Sequence, residues 1–175
     1  MTLLLSFRTP AFLLLLAALL GGCCANNVCA PDNPLADALE LRFSRAFAAA
    51  DLDTVIILRY PKDFTATTRP ETVTLVRTVA QARDSILLNN NVPFTRVGTT
   101  SLGAYRYVVQ YFSHPSGSSK GVLTTAFTIN RISIRGDLKG NGCCTNYTNV
   151  EKIVYAKDSV FNFTGQRKPV LKITK

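Results

Sequence analysis

The residues best suited to acid–base chemistry in this chain are one histidine and a few aspartates. His114 could serve as a general base, but it lies in a Ser/Gly/Pro-rich segment, so we expect a solvated loop histidine. Asp63 falls between two predicted elements, which favours an exposed turn over a catalytic carboxylate. Asp51 and Asp53 are typical helix caps. These residues show no readable catalytic constellation.

Aromatic side chains form a second group, concentrated in the run YRYVVQYF at 105–112. Aromatic and β-branched residues favour a strand. Alternation along that strand places Tyr105, Tyr107 and Tyr111 on one face and Arg106 on the other. The phenol rings would line a ligand pocket if that face bounded a cavity. Ordinary packing within a sheet explains the same pattern and is the simpler interpretation.

The first 25 residues have the features of a secretory signal peptide. Arg8 is their only charge, and it precedes the apolar run AFLLLLAALL and the small residues that end at Ala25. We therefore predict cleavage after Ala25 and a secreted chain that begins with an arm over 26–34. The segment Leu20-Gly21-Gly22-Cys23 also resembles a bacterial lipoprotein box. A lipid anchor through Cys23 is therefore the alternative localisation.

Cleavage of this leader changes the cysteine chemistry. It removes two of the five cysteines and leaves Cys29, Cys143 and Cys144. An odd number in an oxidising compartment predicts one disulfide and one remaining thiol, or an intermolecular bond. We expect Cys29 to pair with Cys143 or Cys144. Structural zinc sites use C-x₂-C spacing, which these cysteines lack, so no metal site is expected.

Composition and charge limit the partners. An apolar fraction of 47% excludes a mostly disordered chain, and five cysteines in 175 residues are too few for a disulfide-dense scaffold. The net charge of +9 suits an anionic glycan or a lipid surface, whereas secretion argues against nucleic acid. Sequons at Asn146 and Asn162 predict glycosylation and favour a eukaryotic secreted protein.

Apolar periodicity predicts helices first and strands later. Helical spacing of apolar residues predicts a long amphipathic helix over 35–50. Capping-box spacing between Thr78 and Gln81 predicts a second helix over 79–88. Between them we expect a short helix at 54–58 and a hairpin with strands at 63–68 and 72–76. The remaining prediction comprises strands at 92–98, 105–112, 122–134 and 150–155, a polar loop at 136–149 and a basic tail at 165–175.

Two segments in this order resemble a known family. The phrase FSRAFAAADLD at 43–53 and the segment YPKDF at 60–64 are similar to the opening of nuclear-transport-factor-2-like proteins, which include SnoaL-like cyclases and ketosteroid isomerases. The similarity in order and spacing runs from Leu35 to Tyr155. It implies a single α+β domain over 35–164, with a long N-terminal helix packed on a curved antiparallel sheet around a cone-like apolar pocket. The family also includes dimerisation modules, so a homodimer is among the expected assemblies.

The implied pocket sets the functional expectation. We predict a secreted domain that binds a small apolar ligand or a partner protein, without a cofactor. The alternative is an enzyme of isomerase or cyclase type acting on a small apolar substrate, and a third option is a structural domain filled by its own side chains. A buried Asp or His in the pocket would favour the enzyme, because fold alone does not settle function. The residues expected to line the pocket are Tyr60, Phe64, Tyr105, Tyr107 and Tyr111.

Overall fold

The computed structural model describes residues 37–94, 101–114, 120–141, 144–166 and 168–175, and within them the regular structure is almost entirely β. Short 3₁₀ helices of three or four residues lie at Ala49–Leu52, Ala80–Arg83 and Leu102–Ala104. The strands are β1 (Leu39–Phe43), β2 (Thr54–Pro61), β3 (Glu71–Val76), β4 (Ile86–Leu88), β5 (Tyr105–Ser113), β6 (Val122–Asn141), β7 (Cys144–Ala156), β8 (Val160–Asn162) and β9 (Val170–Ile173).

These strands form two sheets that share one apolar core. The larger sheet has the order β3-β2-β5-β6-β7-β8, with every neighbouring pair antiparallel. The smaller sheet has the order β4-β1-β9, in which β1 is antiparallel to β4 and parallel to β9. Phe47 joins the sheets, because its ring lies 5.1 Å from Phe43 and 5.2 Å from Tyr111, centroid to centroid.

The predicted α+β fold, with a long helix on a curved sheet, is wrong. Residues 39–43 of the expected helix form β1, and residues 54–58 of the expected short helix lie in β2. Leu39, Leu41 and Phe43 alternate into the core while the residues between them face outward. Since β1 is the central strand of its sheet, pairing on both sides overrides the helical spacing of the neighbouring alanines.

The second predicted helix is also wrong beyond its first turn. The capping box itself forms, because the backbone N–H of Thr78 donates to Gln81 Oε1 at 2.9 Å and Gln81 N–H donates to Thr78 Oγ1 at 3.4 Å. The 3₁₀ turn then ends at Arg83. Ile86 and Leu88 follow as alternate buried residues of β4, so core packing takes this segment into the smaller sheet.

The strand predictions of the C-terminal half succeed best. The strands expected at 105–112, 122–134 and 150–155 lie within β5, β6 and β7, and Ile129 and Ile132 of β6 are buried. The polar loop expected at 136–149 is wrong, because 136–141 pairs with 144–149 as the far end of the β6–β7 hairpin. The hairpin expected at 63–76 keeps its second strand, whereas 62–70 forms the loop after β2.

Several predictions fall outside the described residues. The leader at 1–25 and the arm at 26–34 lie there, as do most of the strand expected at 92–98 and the loop after His114. Within the expected basic tail, β9 pairs with β1. No helix in the described ranges has the length and apolar character needed to cross a bilayer.

Candidate functional site

The five residues predicted to line a pocket occupy different environments. Tyr107 and Tyr111 are buried in the core between the sheets. The Tyr107 hydroxyl donates a 3.0 Å hydrogen bond to the carbonyl oxygen of Leu102, and burial raises the pKa of this phenol well above its usual range. Both rings therefore act as core residues.

Tyr105 belongs to a cluster around the buried cation of Arg59. The guanidinium carbon of Arg59 lies 4.5 Å from the Tyr105 ring centroid and 4.4 Å from that of Phe94. Its Nη2 and Nε donate to one carboxylate oxygen of Glu71, at 2.7 and 3.0 Å. Because a carboxylate and two rings surround this charge, the cluster stabilises the packing of β2, β3 and β5.

Tyr60 and Phe64 meet on the outer face of the larger sheet, which is turned away from the core. Their ring centroids are 5.4 Å apart. Tyr60 lies opposite Arg106 in the register of β2 and β5, and the guanidinium carbon of Arg106 is 5.4 Å from the Phe64 centroid. Phe64 is 38% exposed, so this cluster offers a cation and aromatic rings at the surface.

A second cation–ring pair lies on the same face. Arg131 on β6 is opposite Tyr155 on β7, and its guanidinium carbon is 4.0 Å from the Tyr155 ring centroid. Ile129 on β6 pairs with Tyr107 on β5, and Arg131 and Arg106 lie within two residues of this pair along their strands. The arginines of the two cation–ring pairs therefore come from adjacent strands at the same end of the sheet. We call the surface made by these residues the aromatic–arginine face; it comprises Tyr60, Phe64, Arg106, Arg131 and Tyr155.

The charge of this face is mainly positive. Within the described ranges, neither Arg106 nor Arg131 forms an ion pair with an acidic residue. Glu151 lies further along β7, where it accepts a hydrogen bond from Ser133 and stands 4.0 Å from Arg135. The two guanidinium groups over the rings therefore keep charge that an anion can neutralise.

His114 has a partner that the sequence did not predict. Its backbone N–H donates to Asp51 Oδ1, and its ring Nδ1 lies 3.2 Å from the same oxygen. Asp51 is buried at the end of a 3₁₀ turn and holds this histidine instead of capping a helix. The His114 side chain is 43% exposed, so the pair is an oriented imidazole at the surface. Asp53 and Asp63 are exposed.

A cleft of about 290 Å³ lies where the outer strands β3 and β4 of the two sheets approach each other. Arg77 lies in its wall, where Nη2 donates to the carbonyl oxygens of Gln81 and Asp84. Burial lowers the pKa of Arg77, and the nearby charge of Asp84 partly opposes this. Arg77 Nη1 is buried and has no hydrogen-bond partner in the described part of the chain. The exposed Val76 and Val92 add apolar surface beside it.

The predicted modification sites are only partly described. Cys29 and Cys143 lie outside the described residues, and Cys144 begins β7 opposite Asn141. Asn146 lies within β7. Asn162 is exposed on β8, and its Oδ1 accepts a 3.0 Å hydrogen bond from the backbone N–H of Thr164. No cluster of three or more potential metal ligands occurs among the residues that could be searched.

Over the described residues, the geometry defines a mainly β structure of two sheets, with polar and aromatic side chains that converge at the surface. No protein-family model, curated protein or solved structure matches the chain. Its similarity to nuclear-transport-factor-2-like proteins stays a prediction, and the part of the chain that the structure describes does not have the helix-on-sheet architecture that this similarity implied. Sequence reasoning missed Arg131, Tyr155 and Arg59, because their partners are defined only by the register between strands.

Proposed function

We propose that the protein is a secreted binding domain whose aromatic–arginine face holds an anionic polysaccharide. One observation carries this proposal: Arg106 and Arg131 each lie over an aromatic ring, on adjacent strands, without an acidic partner in the described structure. Rings pack against the apolar faces of sugars, and guanidinium groups donate paired hydrogen bonds to carboxylate or sulfate groups. The predicted leader and the net charge of +9 support an extracellular anionic partner.

This proposal moves the binding site from an internal pocket to the surface. Tyr107 and Tyr111, two residues predicted to line the pocket, fill the space between the sheets with their own rings. Tyr60 and Phe64 are the two predicted residues that meet at an accessible place, and Arg106 adds a charge beside them. A polymer that needs a shallow, charged surface fits this arrangement better than a small apolar molecule does.

The test measures binding of the secreted protein to immobilised heparin, a sulfated polysaccharide, as a function of salt concentration. Replacing Arg131 by Gln removes one cation, and replacing Phe64 by Ala removes a ring without changing the charge. We expect each variant to bind about tenfold more weakly, because each lost contact is worth roughly 1–2 kcal/mol in a partly desolvated site. Affinity should also fall as salt rises.

Arg45→Gln is the matched control, because it removes an equal charge from an exposed position outside the aromatic–arginine face. Its heparin affinity should stay within about twofold of the unmodified protein. Equal losses in Arg45→Gln and Arg131→Gln would mean that the net charge alone drives binding. Tighter binding of single-stranded DNA than of heparin, or no effect of Phe64→Ala, would also contradict the proposal.

An enzyme of isomerase or cyclase type remains the second predicted function. The hydrogen-bonded pair of Asp51 and His114 favours it, because a buried carboxylate that fixes an imidazole is a common way to orient a general base. Replacing His114 by Gln separates the two functions. If the variant loses turnover of a small apolar substrate but keeps its heparin affinity, the result would support catalysis at His114. The aromatic–arginine face would then remain the proposed site for heparin.

A further inference from the structure

The outer edge of β3 has no neighbouring strand among the described residues. This strand pairs with β2 on one side and lies at the end of the larger sheet as described. Exposed strand edges commonly carry charges, prolines or bulges, because unpaired backbone groups attract another strand. At the opposite end of the sheet, β8 has only three residues, whereas β3 has six residues, ETVTLV, with β-branched side chains in the middle. The β3 edge therefore has the length and composition for a further strand.

Backbone directions show which residues of β3 face this edge. The N–H of Arg77, just after the strand, donates to the Asp53 carbonyl oxygen on the β2 side. Backbone groups alternate along an extended chain, so Thr72, Thr74 and Val76 direct theirs away from β2. These three residues are exposed, and Val76 is 82% exposed. Among the described residues, none pairs with them on that side.

We propose that a second copy of this chain pairs antiparallel along β3, with the twofold axis at Thr74. The two larger sheets then join into one continuous sheet. Thr72 lies opposite Val76 of the other copy, and Thr74 lies opposite Thr74, so each of these outward-directed backbone groups finds a partner. The side chains also match in this arrangement. Core-side residues of one copy lie beside core-side residues of the other copy on one face, and exposed residues lie beside exposed residues on the opposite face.

The charged residues at the two ends of β3 favour this register over the two registers next to it. With the axis at Thr74, Arg77 of each copy lies opposite Glu71 of the other, which gives two symmetric pairs of opposite charge. With the axis at Val73, Arg77 lies opposite Arg69, and with the axis at Leu75 it lies opposite Val73. Glu71 keeps its ion pair with Arg59 in this arrangement, and Arg77 contributes the guanidinium that lines the cleft.

Engineered cysteines test both the dimer and its register. In Thr74→Cys, the two introduced thiols lie on residues whose Cα atoms are about 5.5 Å apart, within disulfide range. Thr72→Cys is the matched control, because its two copies lie roughly 13 Å apart along the strand. Mild oxidation should therefore link most of the Thr74→Cys protein into dimers. The Thr72→Cys protein should stay at the level of the unmodified chain, and peptide mapping should find the 74–74 bond.

Sedimentation of the unmodified protein should give twice the monomer mass. Thr74→Lys places two like charges across the axis and should give the monomer mass, while Thr125→Lys, at an exposed position of β6, should leave the dimer intact. A monomeric unmodified protein without the 74–74 bond would overturn the proposal. So would equal cross-linking of both cysteine variants, or a dimer that persists in Thr74→Lys. Heparin binding is independent of these results.

Discussion

Arg59 and Lys152 are both cations in the interior of the protein, with exposed fractions of 2% and 1%, but their surroundings differ. The Arg59 guanidinium has the Glu71 carboxylate at 2.7 Å and two aromatic rings within 4.5 Å. The Lys152 ammonium donates one described hydrogen bond, to the carbonyl oxygen of Ala38 at 3.1 Å. Burial lowers the pKa of Lys152, and the charge of Asp37 partly offsets this.

The difference reflects the chemistry of the two groups. A planar guanidinium keeps its charge, donates along a fixed fork and stacks on rings, so it can be buried in a cluster that compensates the loss of water. An ammonium depends on strong hydration and loses its proton more easily when buried. Lys152 instead connects β7 to the start of β1, next to the 2.9 Å hydrogen bond from Asn149 to Asp37. One cation anchors a cluster, and the other joins two sheets.

Replacing Arg59 by Leu should have the largest effect on stability. The variant removes the guanidinium that contacts the Glu71 carboxylate at 2.7 Å and packs on the rings of Tyr105 and Phe94. We expect the free energy of unfolding to fall by about 3 kcal/mol, measured by urea denaturation, because the interior loses two charge-assisted hydrogen bonds and the packing of the guanidinium on two rings. Arg135→Leu is the matched control, since this arginine is 72% exposed and 4.0 Å from Glu151. It should change stability by less than about 0.5 kcal/mol.

Tyr107→Phe should have an intermediate effect. It removes the hydroxyl that bonds Leu102 and leaves that carbonyl oxygen without this donor, which should cost about 1 kcal/mol at neutral pH. The pKa of Tyr107 is raised in the folded state, so above pH 10 the unfolded chain loses this proton first and the hydroxyl's contribution declines. The stability difference between the unmodified protein and Tyr107→Phe should therefore shrink above pH 10. A difference that is constant up to pH 11 would contradict the raised pKa.

Lys152→Met should have the smallest effect at neutral pH. The variant loses one hydrogen bond but also avoids burying a charge, so the free energy of unfolding should change by less than about 1 kcal/mol. Lys172→Met, at an exposed position of β9, is the control for loss of charge. A loss of stability as large as that of Arg59→Leu would contradict this expectation, because it would show that the interactions of Lys152 offset the burial of its charge as fully as those of Arg59 do.

Comparing the free energies of unfolding of Lys152→Met and the unmodified protein as a function of pH gives a sharper measurement. Because the pKa of Lys152 is lowered by folding, the unfolded chain binds more protons between the folded pKa and 10.5. The unmodified protein should therefore gain stability relative to Lys152→Met as pH rises through that interval. Tyr107 is present in both proteins, so its own titration cancels in the difference. A difference that falls with pH would contradict the lowered pKa.

Prediction from sequence succeeded where the local pattern and the tertiary environment agree. Tyr105–Ser113 alternates buried and partly buried residues and is rich in aromatic and β-branched side chains, so its strand was predictable. The helix expected over 35–50 failed because Leu39, Leu41 and Phe43 also fit a period of two, and pairing with β4 and β9 selects that period. The loop prediction for 136–149 failed because backbone pairing in a hairpin does not require apolar side chains.

The candidate site shows the same division. Tyr60, Phe64 and Arg106 were visible as residue types, and alternation placed Arg106 on the face away from Tyr107. Their convergence depends on the register of β2 with β5, which the sequence does not reveal. Likewise, Asp51 and His114 are 63 positions apart, and only the packing of a 3₁₀ turn against the end of β5 brings them together.

The sequence by itself determined the aromatic strand at the centre of the larger sheet and its inward residues, because alternation and β-propensity act locally. It also predicted the secretory leader and established the positive charge. For the described residues, the tertiary structure alone decided the mainly β class, the surface position of the aromatic–arginine face and the place of β3 at the end of its sheet. These features depend on which strands become neighbours, and that choice is made by burial and hydrogen bonding between segments far apart in the chain.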